Sequence, residues 1–213
     1  MREQITSPRT TQRWLTNSQM RDALLVVEDL LKRTGQTAVL RLSGLERYID
    51  QLPPRNDRPD IPRGDITALF AGIVSMFGEQ GARGVLRRWG RAFAAKRAES
   101  HIALRLLRIG LRLAAPETAA RFALIRLLHY IDLAREDQPP ALEDREDHFT
   151  LELTDCVYCI GLGQPQPSCP AVVGLLEGLL RWVTGRDYEV TEEALIAPGQ
   201  PLFKIRKHPL DRR

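Results

Sequence analysis

Long apolar runs are missing from this chain of 213 residues. No uninterrupted stretch approaches the roughly 20 residues that a membrane-spanning helix needs, so no membrane span is expected. The first ten residues are polar and lack the apolar centre of a secretory signal, which makes the cytoplasm the expected location. Cysteine is scarce too. Three thiols cannot all pair within one chain, and they are too few for a disulfide framework. Nucleic-acid binding calls for a clustered basic face with interleaved aromatics. Here 31 lysines and arginines are spread through every segment against 27 acidic residues, so no nucleic-acid partner is expected. Phosphate-loop, nucleophile-elbow, kinase and metalloprotease patterns are absent, as are internal repeats of solenoid period.

What remains is an ordinary globular composition, 43% hydrophobic, enough to build a real core. Residues 1–16 are polar and read as a flexible arm. Asn17 or Ser18 can cap a helix to about Arg33, with Gly35 as its stop. Residues 38–45 are short and apolar enough for an extended piece, and the proline-rich stretch 50–64 reads as an irregular loop. Asp65 is placed to cap the next helix, and Gly78, Gly81 and Gly84 suggest a turn into a basic helix over 82–97. A solvated arginine fringe is the plain reading of that helix, and an anionic partner such as a carboxylated ligand is the sharper one. Helices are expected over 101–114 and from Pro116 to about 134, the second apolar nearly all round. His129 on it reads as a structural histidine paired with a group such as Asp132.

The period then changes. Phe149, Leu151 and Leu153 alternate with polar residues, as do Phe203 and Ile205, and Tyr188 and Val190 open a strand between them. A helix over 170–185 carries Gly174 and Gly178, a smooth strip for close approach. The expected fold class is α+β, with N-terminal helices packed with a C-terminal antiparallel sheet of three or more strands and one intervening helix. The expected organisation is an arm 1–16, a helical part 17–136, a linker-like loop 137–147 and an α/β part 148–207, with 17–207 one compact domain.

Spacing suggests chemistry only in that last part. Cys156 and Cys159, in Cys-Val-Tyr-Cys, can bite one zinc ion together, and Cys169 at a helix start is a third thiol. Glu192 falls on the apolar side of its strand, where a carboxylate needs a metal, an arginine, a ligand or a bulge that frees it into water. A thioredoxin-like redox pair is disfavoured, because a Gly-Leu-Gly loop follows the second cysteine instead of a helix.

The stretches Cys156-Val-Tyr-Cys159-Ile-Gly161, Cys169-Pro-Ala-Val-Val-Gly174-Leu-Leu-Glu-Gly178 and Val190-Thr-Glu192 through Gly199 to Ile205 resemble the 4-vinyl reductase domain family. This covers the last third of the chain, with a looser likeness upstream over Phe77-Gly78 to Gly90-Arg91. The resemblance implies a fold similar to Bet3-like and haem-nitric-oxide-binding domains, which are often dimeric and hold hydrophobic molecules. It implies a sensor for aromatic compounds or an accessory role in bacteriochlorophyll synthesis. It also implies a zinc site in which Cys169 and Glu192 match two ligands. The other two positions are Leu195 and Phe203, which cannot ligate, so Cys156 and Cys159 are the candidate replacements. The function expected is a non-catalytic binding module for a hydrophobic or aromatic small molecule, as a homodimer with zinc as the candidate cofactor. The alternatives are a tetrapyrrole vinyl reductase or a structural dimer or scaffold.

Overall fold

The computed structural model describes residues 14–131, 140–153, 158, 169–197 and 200–210. A short strand β1 (Trp14–Leu15) pairs antiparallel with β2 (Ile61–Pro62) and ties the chain start to the proline-rich stretch. Helix α1 (Asn17–Leu42) opens on a capping box: the Thr16 hydroxyl accepts from the Gln19 amide, and the Gln19 side chain answers to the Thr16 amide.

The expected break at Gly35 lies three residues earlier, at Lys32, whose φ of 62° is left-handed. Gly35 is helical. Its missing Cβ is what lets the two halves fold together, since one built there would lie 2.7 Å from the Leu31 Cβ. Across the break the buried Gln36 side chain donates to the Leu24 carbonyl at 2.8 Å. The piece over 38–45 expected to be extended therefore belongs to the second half of α1 as far as Leu42.

Helix α2 (Gly64–Ser100) is long because the expected turn at three glycines is a single kink. Only Gly78 leaves helical geometry, with φ 67°, while Gly81 and Gly84 continue the helix. Asp65 does not cap α2. It sits in the first turn, where it accepts from Arg47 and from the Tyr48 hydroxyl. Burial, reinforced by Asp65, pushes the Tyr48 phenol up to about 12.

Helices α3 (Ile102–Leu113) and α4 (Pro116–Arg126) follow close to expectation. The fourth helix ends early, and a 3-10 turn over Leu128–Ile131 replaces its last expected turn. Helix α3 buries only Leu104, while Ile102, Leu106, Ile109 and Leu113 stand 64–87% exposed in one row.

Strands β3 (Ala141–Asp144), β4 (His148–Glu152), β5 (Val190–Ala197) and β6 (Gln200–Arg206) form an antiparallel sheet in the order β3-β4-β6-β5. The α+β expectation holds. The stretch expected as a linker-like loop carries the edge strand β3, whose mostly exposed Ala-Leu-Glu-Asp gives too weak an alternation to announce itself. Phe149 faces Ile205 and Leu151 faces Phe203 across β4 and β6, all four fully buried. Helix α5 (Pro170–Thr184) is buried on nearly every side.

The tightest contact in the molecule runs between α2 and α5. A Cβ on Gly174 would fall on the Arg87 carbonyl oxygen, and one on Gly90 would fall on the Ala171 carbonyl. A Cβ on Gly178 would lie 2.6 Å from the Arg91 carbonyl. Only glycine allows the two backbones to touch this way.

Gly174→Ala is expected to destabilise the protein by about 1–3 kcal/mol, because neither backbone can move away without unpacking the core. Gly84→Ala, at an exposed helical position with nothing within 4 Å, is expected to be neutral or stabilising by up to ~1 kcal/mol. Urea unfolding of both variants beside the parent measures the contrast.

Candidate functional site

Four aromatic rings meet where the two halves of α2 face Tyr158. Trp89 and Phe93, four residues apart on α2, stack at 4.7 Å between centroids. Phe70, on the other half of α2, meets Trp89 edge-on at 4.9 Å. Tyr158 touches all three at 5.9–6.5 Å and lies nearly parallel to Phe70. The Trp89 indole donates to the Ala23 carbonyl at 3.1 Å, which fixes its polar edge against α1.

Tyr158 also borders the sequence-predicted ligands. Cys169 is the residue before the first turn of α5, only 2% exposed, and its thiol points to the Tyr158 carbonyl at 3.7 Å. Glu192 reaches across from β5 and accepts the Cys169 amide at 2.6 Å. The predicted pairing of Cys169 with Glu192 is therefore real, but its chemistry is a helix cap supplied from a strand. A carboxylate at a helix N-terminus satisfies free amides and meets the favourable end of the dipole. The Cys169 amide is thus one partner of the carboxylate that the sequence placed on the apolar side of its strand. The register of β5 against β6 shifts directly after Glu192, and this bulge aims the side chain at α5. Cys156 and Cys159 lie outside the described residues.

A second charged centre was not anticipated. Glu177, on the otherwise apolar α5, is 7% exposed and accepts from Arg87 and from Arg91 Nε at 2.7 Å. Its position between Gly174 and Gly178 was the available signal, since a glutamate inside a buried glycine strip needs a cationic partner. These residues border a cavity of about 350 Å³ that Arg181, Asp187 and Glu189 also line. Internal ion pairs, including Arg181 with Asp187 at 3.2 Å, occupy much of its charge, and the centre reads as structural.

A second cavity, about 540 Å³, opens between the first turns of α1, residues 55–57 and the end of α2. Its lining is polar, with Arg21, Arg55, Lys96, Arg97 and His101 among its residues. The His101 ring packs edge-on against Tyr130 at 5.0 Å, and burial together with Arg97 holds it below the ordinary histidine value. His129, read from sequence as structural, lies against Tyr130 at 3.9 Å, while Asp132 lies outside the described residues.

Glu192→Ala removes the cap on α5 and is expected to cost about 1 kcal/mol, with Glu192→Gln costing less because it keeps an acceptor. Denaturant midpoints of the two variants give the order, and equal midpoints for parent and Glu192→Ala would remove the capping role.

No family model and no curated protein matches the chain. Solved structures do match its fold. An Fe(II) unliganded H-NOX protein variant from K. algicida is 14% identical, with TM-score 0.58, covering 90% of this chain and 96% of that one. An H-NOX domain studied for haem distortion is 16% identical, with TM-score 0.57 and coverage of 93% and 98%. An oxygen-binding H-NOX domain related to soluble guanylate cyclases is 17% identical, with TM-score 0.52 and coverage of 90% and 95%. At such identities the likeness establishes fold. It corrects the resemblance to the 4-vinyl reductase domain family, and the vinyl-reductase and bacteriochlorophyll expectations fall with it. It corrects zinc as well: the second of these structures is a haem protein, and among the described residues no three His, Cys, Asp or Glu side chains converge to hold a metal. No helix among the described residues is long and apolar enough to cross a membrane. The fold of this chain, over nine-tenths of its length, is that of the H-NOX domains.

Proposed function

We propose that this chain is a non-catalytic module that holds a small apolar, planar molecule in its aromatic interior. The observation that carries the reading is the convergence of Phe70, Trp89, Phe93 and Tyr158 into one cluster. Aromatic faces are surfaces on which planar ligands stack. Three of the rings stand on α2. Tyr158 alone comes from chain outside the helices and strands, so a ligand ring that takes its place breaks no backbone ladder. The H-NOX fold, which houses a small-molecule site in the similar structures, agrees with a sensor or carrier role.

Haem itself does not fit the described residues. An iron porphyrin needs an apolar slot with an axial donor directed into it. The four rings fill the interior, none more than 3% exposed. Of the described histidines, His101 lines a polar cavity, His129 lies against Tyr130, His148 pairs with Asp147 and His208 is exposed. The Cys169 thiol turns to the Tyr158 carbonyl.

Naphthalene is a suitable probe. It is expected to quench the emission of Trp89 saturably and to raise the melting temperature, and Tyr158→Ala, which removes the ring to be displaced, is expected to bind more tightly. Trp89→Phe assigns the signal. Absence of quenching and of any melting shift in both proteins would overturn the reading. A one-to-one haemin complex with a Soret band lost in His101→Ala would replace it with a haem site. The homodimer remains a proposal, favoured by the exposed row Ile102, Leu106, Ile109 and Leu113, and sedimentation as a monomer at micromolar concentration would remove it.

A further inference from the structure

We infer that the cavity between the start of α1, residues 55–57 and the end of α2 is a binding site for a small organic oxyanion, one bearing carboxylate or phosphate groups. The site is separate from the aromatic interior and does not depend on what that interior holds.

The first argument is charge. Arg21, Arg55, Lys96 and Arg97 line the cavity together with Asp22, Asp57 and Glu99. Two of the acids are committed. Asp22 pairs with Arg97 at 3.4 Å, and Glu99 accepts from Arg108 at 2.5 Å and from the Trp182 indole at 2.8 Å. Three cations, Arg21, Arg55 and Lys96, are left facing one carboxylate, Asp57. Low-dielectric walls concentrate such an excess, and its complement is an anion.

The second argument is unpartnered polar atoms. Arg21 Nε and His101 Nε2 are both buried and both lack a hydrogen-bond partner among the described residues. Folded chains rarely leave such groups unpaired, and both residues line this cavity, so a ligand that draws the two side chains forward would complete them. The Arg21 guanidinium is already held in place, because its Nη1 donates to the Pro53 carbonyl at 2.8 Å. His101 enters neutral. Burial, Arg97 and His129 lower its ring, while Asp57 and Asp22 act in the opposite sense. An oxyanion against Nε2 would draw a proton onto the ring, so His101 reports on occupancy.

The third argument is rigidity. The loop wall is tied to α1 by Asn17 Nδ2, which donates to Asn56 Oδ1 at 2.9 Å and to Asp60 at 2.8 Å. The Ser18 amide and hydroxyl both donate to the Asn56 carbonyl at 2.9 Å, and the Asn17 amide donates to the Arg58 carbonyl at 3.0 Å. A wall held this way needs little ordering when a ligand arrives. A volume of about 540 Å³ suits a metabolite-sized molecule better than a bare ion.

Calorimetry with citrate and with inorganic phosphate, at constant ionic strength in chloride, tests the site. Saturable one-to-one binding with a dissociation constant below about 1 mM is expected for at least one of them, and the preferred probe identifies the oxyanion class. Arg21→Gln and Lys96→Gln are each expected to weaken binding at least tenfold. Lys96 makes no side-chain hydrogen bond or ion pair among the described residues, so its variant, checked for an unchanged melting temperature, separates binding from stability. Arg83→Gln, at an exposed position on α2 away from the cavity, should bind as the parent does. The nitrogen chemical shift of His101 should move toward the protonated form on saturation. No saturation up to about ten times that concentration, or binding that Lys96→Gln leaves unchanged, would overturn the assignment.

Discussion

The structure depends on one contact, the touching backbones of α2 and α5. Three glycines, Gly90, Gly174 and Gly178, remove every side chain from the line of approach. Ordinary side chains hold packed helices apart, and here a single added Cβ would strike the facing backbone. Closeness alone would leave Glu177 stranded in the seam, so Arg87 and Arg91 on α2 reach over and hold it. Removing either half of that arrangement harms the other: a larger residue parts the backbones, and a lost arginine leaves a buried carboxylate unpaired. The placement of Cys169, and through it of Glu192 and Tyr158, follows from where this contact sets the first turn of α5.

Where apolar period and close approach act together, the fold was legible. Gly174 and Gly178 announced a bare strip, and the alternation of Phe149, Leu151, Phe203 and Ile205 announced a sheet face, because each pattern has one cheap physical solution. Helix breaks were read less well. Gly35 and the run Gly78, Gly81, Gly84 offered several permissive positions, and tertiary packing chose among them. At the first site it placed the break on Lys32, an unfavoured residue for positive φ, and used Gly35 for closeness instead. Strand β3 was missed because an edge strand with three exposed residues is stabilised by its neighbour and not by its own pattern.

Of the candidate site, Cys169 and Glu192 alone lie among the described residues, and they show why its chemistry was hard to read. Cys169 and Glu192 do meet, 23 residues apart in sequence, yet a carboxylate beside a cysteine at a helix start has two physical explanations. One is a shared metal, the other a cap. Sequence spacing cannot separate them, since both place the same oxygen near the same turn. The difference lies in which atom of Cys169 the carboxylate faces, and it faces the amide. A resemblance that carried over a zinc set therefore carried over residues whose proximity the fold reproduces for another reason. Glu177 shows the converse error: its chemistry was plain from its surroundings, but it sat inside a motif already explained by its glycines.

Helix α2 is the wall common to the aromatic interior and the polar cavity, and α1 meets it at two adjacent residues. The Ala23 carbonyl accepts from Trp89, and the Asp22 carboxylate pairs with Arg97. Trp89 and Arg97 are two turns apart on α2, so the two bonds fix α1 against α2 in both rotation and translation. The capping box at Thr16 and the ties to the proline-rich loop then hold the start of α1. A wall braced at this many points cannot yield at one pocket while keeping its place at the other. A bulky core residue such as Trp89 and a buried cation such as Arg97 are costly to place, and here each is bonded to the next residue along one turn of α1.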